Sequence, residues 1–332
     1  MLGRFGSWWH YLRRMRRERA LFGADRPVHA LPPIFHHWSH TFVRPMLREL
    51  GGGSPEEFFA HWLRRAAAAA PGAVRFLSLG SGAGESELAV AERLRAGGLE
   101  SFRLVCVDQN PALVRAGAAA AGRRGLAGHV EFRRGDLNRW RDAGRYDALL
   151  ANQSLHHLVE LERLFDWARA ALLPHGVLVI SDMIGRNGHM RWPEARAEVE
   201  RFWAELPPTH RFNHQTRTAA PEFVDFDCAG DGFEGVRAQD VLPLLLERFE
   251  VQAFAGFANV IDVFVDRGYG PNFDVGRAAD RAFVDRVHAR DEELLRGGAI
   301  TPTHMFAVLR TGAVAAPVFA RGLAPRSCVR RA

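Results

Sequence analysis

Three glycines alternate in the stretch Leu77–Glu87, LSLGSGAGESE, directly after an apolar run: Gly80, Gly82 and Gly84. Glycine in a strand-to-helix turn lets the backbone enter the left-handed region or approach a ligand closely. Phosphate loops, dinucleotide turns and sulfonium cofactor sites all use it. A phosphate loop needs a lysine, and no lysine occurs anywhere in the chain, so the 44 basic residues are all arginine. A dinucleotide turn spaced G-x-G-x-x-G would place its third glycine at 85, where Glu85 stands. Polar residues close the next apolar runs: Asp108 in VCVDQNP, Asp136 in RRGDL, Asn152 in LLANQS and Asp182 in VISD. Asp108 can accept from both hydroxyls of a ribose, and Asp136 from an adenine amino group. Three histidines follow these runs. His156 and His157 lie in SLHHL and His189 in GRNGHMRWPEA. A histidine titrating near neutrality suits removal of an acceptor proton, with His156 the first choice, His157 its neighbour and His189 the outside candidate. The alternative for the pair is the packed start of a helix.

These residues need elements to bring them together. From residue 74 short apolar runs alternate with helical segments: VRFLSL and a helix over 85–95, RLVCVD and a helix opening at Pro111 behind the cap Asn110, HVEFRRGD, YDALLAN and a helix over 159–172, then GVLVISD. Such alternation predicts an α/β fold, a doubly wound, mostly parallel sheet covered on both faces. Ligands in that architecture bind outside the carboxyl ends of the strands, so Asp108, Asp136, Asn152 and Asp182 are expected on one crevice. After Asp182 the rhythm breaks. Residues 183–247 carry helices at PEARAEVERFWAEL and RAQDVLPLLLERF around a polar loop, and two further strand-like runs, FEVQAFAGFANV and THMFAVLR, flank a helix near 280–296.

With LSLGSGAGE, VCVDQNP, EFRRGDL, YDALLANQSLHHL and LLPHGVLVISD in this order, the sequence resembles the class I S-adenosylmethionine-dependent methyltransferases. The resemblance spans about 74–184 and, through the late strands, 249–310. It implies a Rossmann-like, seven-stranded sheet whose last strand is antiparallel. It also implies S-adenosyl-L-methionine as cofactor, held by Gly80, Gly82, Gly84, Glu85, Asp108, Gln109, Asp136, Leu137, Asn152 and Gln153. That cofactor has no pyrophosphate, so the glycines would serve close backbone approach. The segment N-Q-S-L differs from the motif of enzymes that methylate base amines or glutamine amides, and no Pro-Cys pair suggests a cytosine C5 nucleophile. The implied activity is therefore methyl transfer to a small-molecule or glycosylated acceptor, at oxygen. The alternatives are an RNA- or ribosome-directed methyltransferase, and a non-catalytic cofactor-binding partner subunit.

A chain of 332 residues, 47% hydrophobic, can bury a large core. The expected organisation is an N-terminal helical extension (1–70), a methyltransferase domain (71–310) with an inserted cap (183–247), and a disordered basic tail (311–332). The net charge of +6 concentrates at the two ends, where arginines are phosphate contacts in the RNA-directed reading. Trp8, Leu12 and Met15 make an apolar stripe on the first basic helix, which either docks on the domain or lies on an anionic membrane surface. No run is long enough to span a bilayer and no secretory signal is recognisable, so a cytoplasmic protein is expected. Cys106, Cys228 and Cys328 have neither disulfide nor zinc spacing and read as free thiols. His36, His37 and His40, and Asp225, Asp227 and Asp231, are weighed as cation ligands and set aside, so no metal is expected.

Overall fold

The computed structural model describes residues 11, 14–15, 30–70, 72–230 and 232–330. Helix α1 (Pro33–Trp38) passes through a π-helical turn (Ser39–Val43) into α2 (Arg44–Glu49), and α3 (Pro55–Ala68) follows. The alternating region then runs β1 (Val74–Leu79), α4 (Glu85–Ala96), β2 (Phe102–Asp108), α5 (Pro111–Arg123), β3 (Val130–Arg134), β4 (Tyr146–Asn152), α6 (Leu161–Ala171) and β5 (Leu172–Met183). Asn110 does cap α5, its Oδ1 accepting from the Ala112 amide at 3.0 Å. The later part comprises α7 (Pro193–Glu205), a small hairpin of β6 (Phe212–Asn213) and β7 (Thr218–Ala219), α8 (Ala238–Leu246), β8 (Glu250–Phe257), α9 (Val260–Val265), α10 (Ala278–Arg296), β9 (His304–Arg310) and β10 (Val318–Phe319).

The main sheet has the order β10-β8-β9-β5-β4-β1-β2-β3. β9 runs antiparallel to β5 and β8, while the other pairs are parallel. Strand side chains alternate between faces, and that period builds two cores. Phe76, Leu104, Leu150 and Val308 pack on one face under α3, α4 and α5. Leu77, Val105, Leu149 and Leu309 pack on the other under α6 and α8. A third core joins α1, α7, α9 and α10 through Trp38, Phe202, Phe264 and Val287.

The sheet is one strand larger than the seven expected, because the tail is not disordered. β10 pairs in parallel with β8, and Cys328 is buried against the sheet. Composition alone reads the tail as solvated. Its order comes from distant partners: Arg321 pairs with Glu292 and donates to the Gly256 carbonyl at 2.8 Å. At the other end, of the stripe on the first helix, Trp8 and Leu12 lie outside the described residues, while Met15 is buried with Tyr11 against Val159, Phe233 and Val236. No helix among the described residues is long and apolar enough to cross a membrane.

One carboxyl is enclosed beneath the glycine turn. Glu87, on the first turn of α4, is buried and accepts from the Ser78 hydroxyl at 2.7 Å. Burial disfavours its charge and raises its pKa to about 7, against the ordinary 4.5, despite that hydrogen bond. The fold thus favours neutral Glu87. That contribution is complete below about pH 4.5 and is lost as the pH rises through 7. Glu87→Gln should accordingly be more stable than the parent protein at pH 8, by about 2 to 3 kcal/mol, and no more stable near pH 4.5. Urea denaturation at the two pH values checks this, and an equal gain at both would show that ionisation is not the cause.

Candidate active site

The carboxyl ends of β1, β2 and β4 open on a crevice of about 850 Å³, part of it open to solvent. Its floor is the glycine turn. Gly80 has φ +78° and lies so close to the turn after β4 that a Cβ would stand 2.6 Å from the Ser154 Cβ. Gly82 has φ +57° and a Cβ there would project into open space, so the backbone surface is bare where a ligand would rest. Asp108 sits beside it, its Oδ2 accepting from the Gly82 amide at 2.9 Å and its Oδ1 from the Asn110 amide at 2.7 Å. A carboxylate has further lone pairs, so it can still receive hydroxyl donors. Apolar walls come from Leu113, Leu137, Leu158, Met15 and Phe233.

The N-terminal segment closes one side. The Tyr11 hydroxyl donates to Asp136 Oδ2 at 2.9 Å and accepts from Asn138 Nδ2 at 3.1 Å. Burial, then the charge of Asp136, raise its pKa, so it remains a donor. Asn138 also accepts from the amides of Val159 at 2.9 Å and Glu160 at 3.0 Å, which fixes this wall to the start of α6.

Gly80, Gly82, Asp108, Gln109, Asp136, Leu137, Gln153 and His157 line the crevice. The remaining expected residues stand elsewhere. Gly84 has φ +75° at the start of α4, with Phe132 filling the space a side chain would need. Glu85 is exposed and pairs with Arg124. Asn152 faces a small interior gap beside Phe59 and Glu87. Asp182 is entirely buried below the crevice, because backbone amides and an imidazole surround it. It accepts from Ser154 at 2.9 Å, Leu155 at 2.7 Å, His156 at 3.3 Å and Met183 at 2.8 Å, all through backbone N–H groups. His156 Nδ1 lies 2.6 Å from the same carboxylate.

His156 therefore differs from the free base expected of it. Its Nε2 faces Glu234 Oε1 at 3.3 Å, so carboxylates stand at both ring nitrogens. Burial opposes a charge there, but Asp182 and Glu234 outweigh it and raise the pKa to about 10. His157 shares the short 3₁₀ turn Leu155–His157, and its Nε2 lies 3.6 Å from Glu234 Oε2. His189 reaches Glu234 Oε1 at 2.6 Å through Nε2. Burial holds its pKa below the ordinary histidine value. Glu234 was not legible as a site residue: it lies in an irregular stretch and no motif marks it. Its own pKa is low although burial opposes ionisation, because His156 and His189 hydrogen-bond to it.

The other candidate ligands do not converge. His37 pairs with Asp285 at 3.2 Å, Asp225 accepts from the Arg191 amide at 2.9 Å and Asp227 from the Ala229 amide at 2.8 Å. Asp231 lies outside the described residues.

With this geometry established, comparison identifies the framework. Residues 76–176 match a family described as Methyltransferase domain. Over that segment, which runs from β1 into β5 and holds the glycine turn, the chain is similar to methyltransferase domains. No curated protein matches the sequence. Among solved structures it is similar to the O-methyltransferase from a trans-AT PKS multienzyme of Brevibacillus brevis in complex with S-adenosyl-L-homocysteine, at 14% identity, covering 87% of this chain and 82% of that one, TM-score 0.47. It is also similar to a sarcosine dimethylglycine methyltransferase from Galdieria sulphuraria, at 15% identity, 76% and 85% coverage and TM-score 0.43. For the plantazolicin methyltransferase BpumL the corresponding values are 14%, 91%, 97% and 0.42.

Asp182 is the joint on which this site turns, since one buried charge holds the turn after β4, the end of β5 and His156 together. Asp182→Asn should lower stability by about 3 to 5 kcal/mol, because it leaves buried donors and an imidazolium unmatched. Denaturant midpoints will show this, and a variant as stable as the parent protein would refute the role given to the charge.

Proposed function

We propose that the protein is an S-adenosylmethionine-dependent methyltransferase that transfers the cofactor's methyl group to an oxygen of a small-molecule or glycosylated acceptor. The observation that carries this reading is the placement of His157. It lines the same crevice as Gly82 and Asp108, whereas His156 is enclosed between two carboxylates. When bound, the cofactor supplies an electrophilic methyl on a positively charged sulfur. In the transfer an acceptor oxygen forms the new C–O bond, the C–S bond breaks with its electron pair going to sulfur, and the acceptor proton passes to a base. His157 is assigned that base, with Glu234 beside its Nε2 to stabilise the imidazolium that forms. Asp108 holds the ribose hydroxyls, Gly80 and Gly82 receive the methionine portion, and Asp136 and Leu137 stand at the adenine end. Apolar walls from Met15, Leu158 and Phe233 exclude water from the acceptor, and orientation within the crevice provides much of the acceleration.

Three described arginines at the basic ends count against the RNA-directed reading. Arg321 and Arg330 are engaged with Glu292 and Glu194 within the fold, and Arg14 donates to the Ala229 carbonyl at 2.9 Å. Charges used in this way are not displayed as a phosphate-binding stripe.

Two measurements test the proposal. Calorimetry with S-adenosylhomocysteine should show Asp108→Ala binding about 10- to 100-fold more weakly, about 1.5 to 3 kcal/mol, from the lost charge-assisted hydrogen bonds. Equal affinity would remove the ribose assignment. Transfer of unlabelled methyl to extracted small molecules should yield a product 14 daltons heavier, a methylene's mass by the atom balance above, and His157→Ala should slow that transfer about 100-fold or more while cofactor affinity changes only a few-fold. Near-normal turnover of His157→Ala would sink its assignment as base.

A further inference from the structure

Three imidazoles gather around one carboxylate beside the crevice, more nitrogen ligands than proton transfer to a single base requires. One ring nitrogen each of His156 and His189 and one oxygen of Glu234 lie within 4.8 Å of one another, and the Nε2 atoms of both rings face Glu234 Oε1. The oxygen stands 3.3 Å from the first nitrogen and 2.6 Å from the second. A tetrahedral ion about 2.0 to 2.2 Å from each donor needs donors about 3.4 Å apart, so a sub-ångström spreading of His189 and Glu234 would admit one. His156 is already oriented for this. Its Nδ1 is held at 2.6 Å by buried Asp182, which leaves Nε2 directed at the shared centre. A carboxylate behind a histidine in this way fixes the tautomer that presents a lone pair to a metal.

The loops that carry the donors are tied to each other by backbone. The Gly188 amide donates to the Gly235 carbonyl at 2.9 Å, and the Cys228 amide to the Gly188 carbonyl at 3.0 Å. His189 and Glu234 are the immediate chain neighbours of Gly188 and Gly235. Charge points the same way. The carboxyl groups of Asp182 and Glu234 face the His156 ring from its two sides, and a divalent cation would offset the charge of both.

We propose that His156, His189 and Glu234 form a binding site for a divalent first-row transition metal ion. Two imidazoles and one carboxylate favour ions such as Zn²⁺, Co²⁺ or Fe²⁺ over Mg²⁺ and Ca²⁺, which prefer oxygen ligands. Three protein donors leave a coordination position for an oxygen ligand, next to His157. Binding of the ion stands independently of methyl transfer. Its use, to hold the acceptor oxygen and ease loss of its proton to His157, rests on the function proposed above. No metal-ligand spacing marks the donors in the sequence, because they come from three separated segments.

The test uses the full chain, stripped of metal by chelator and dialysed. Titration with Co²⁺, followed by visible absorption, should show one equivalent per chain with the d–d bands of nitrogen-ligated cobalt, and affinity at least 100-fold above that for Mg²⁺. His189→Ala and Glu234→Gln should each weaken Co²⁺ at least 100-fold, whereas His37→Ala, remote on α1, should not. Circular dichroism establishes that each variant is folded, and if Glu234→Gln is not, His189→Gln takes its place. Parent protein that binds Co²⁺ no better than Mg²⁺, or folded variants that bind it as tightly as the parent, would overturn the site and leave a hydrogen-bonded cluster only. Calorimetry of the metal-free protein with S-adenosylhomocysteine separates the two readings. Cofactor binding without cobalt binding defeats the ion alone, while cobalt binding without cofactor binding supports the ion and defeats the function proposed above.

Discussion

A carboxylate with no access to water must be matched by the protein or it cannot remain charged. At Asp182 four backbone amides and the His156 ring do this. Those donors belong to the turn after β4 and to the end of β5, so one charge fixes how two neighbouring strands finish. The rest of the site is referred to that joint. The Ser154 hydroxyl, in the turn that Asp182 holds, donates to the Leu79 carbonyl at 2.6 Å and so carries the constraint to β1 and the glycine turn. His156 carries it the other way, through Glu234, to the loop that bears Phe233.

The same turn accounts for the different fates of two adjacent histidines. Successive residues of a 3₁₀ turn point about 120° apart, so although both rings approach Glu234, they meet different surroundings on their other sides. His156 is buried against Asp182, and His157 emerges into the crevice. Sequence places both near the end of β4, but the rotation about the turn depends on where Asp182 anchors it.

The strand-and-helix framework was legible because it follows local rules. Short apolar runs mark β1, β2, β4 and β9, Asn110 marks the start of α5, and the glycine spacing marks the turn after β1. Asp108 and Asp136 were legible because strand ends in such a sheet share one edge. Tyr11, Asn138 and Glu234 were not, since each acts across more than 70 residues or from an irregular segment, and no period or motif records such a contact. Asn152 and Asp182 show the limit of the strand-end rule, which locates the edge of the sheet but not which way a side chain turns there. The tail shows the limit of composition: small residues and arginines resemble a solvated segment until the pairing of Val318 with Ala253 and of Arg321 with Glu292 is known.

Tyr11 makes the crevice wall from a part of the chain distant from the sheet, and it does so by donating to the carboxylate expected at the adenine end. A cofactor settled against Asp136 therefore meets the N-terminal segment at the same oxygen pair. On the function proposed above, exchange of spent cofactor for fresh would take place beside the Tyr11 hydroxyl and the apolar contacts that Tyr11 and Met15 make with Phe233. On that function the residence time of the product, and with it inhibition by the by-product, would depend on residues far from the reacting methyl.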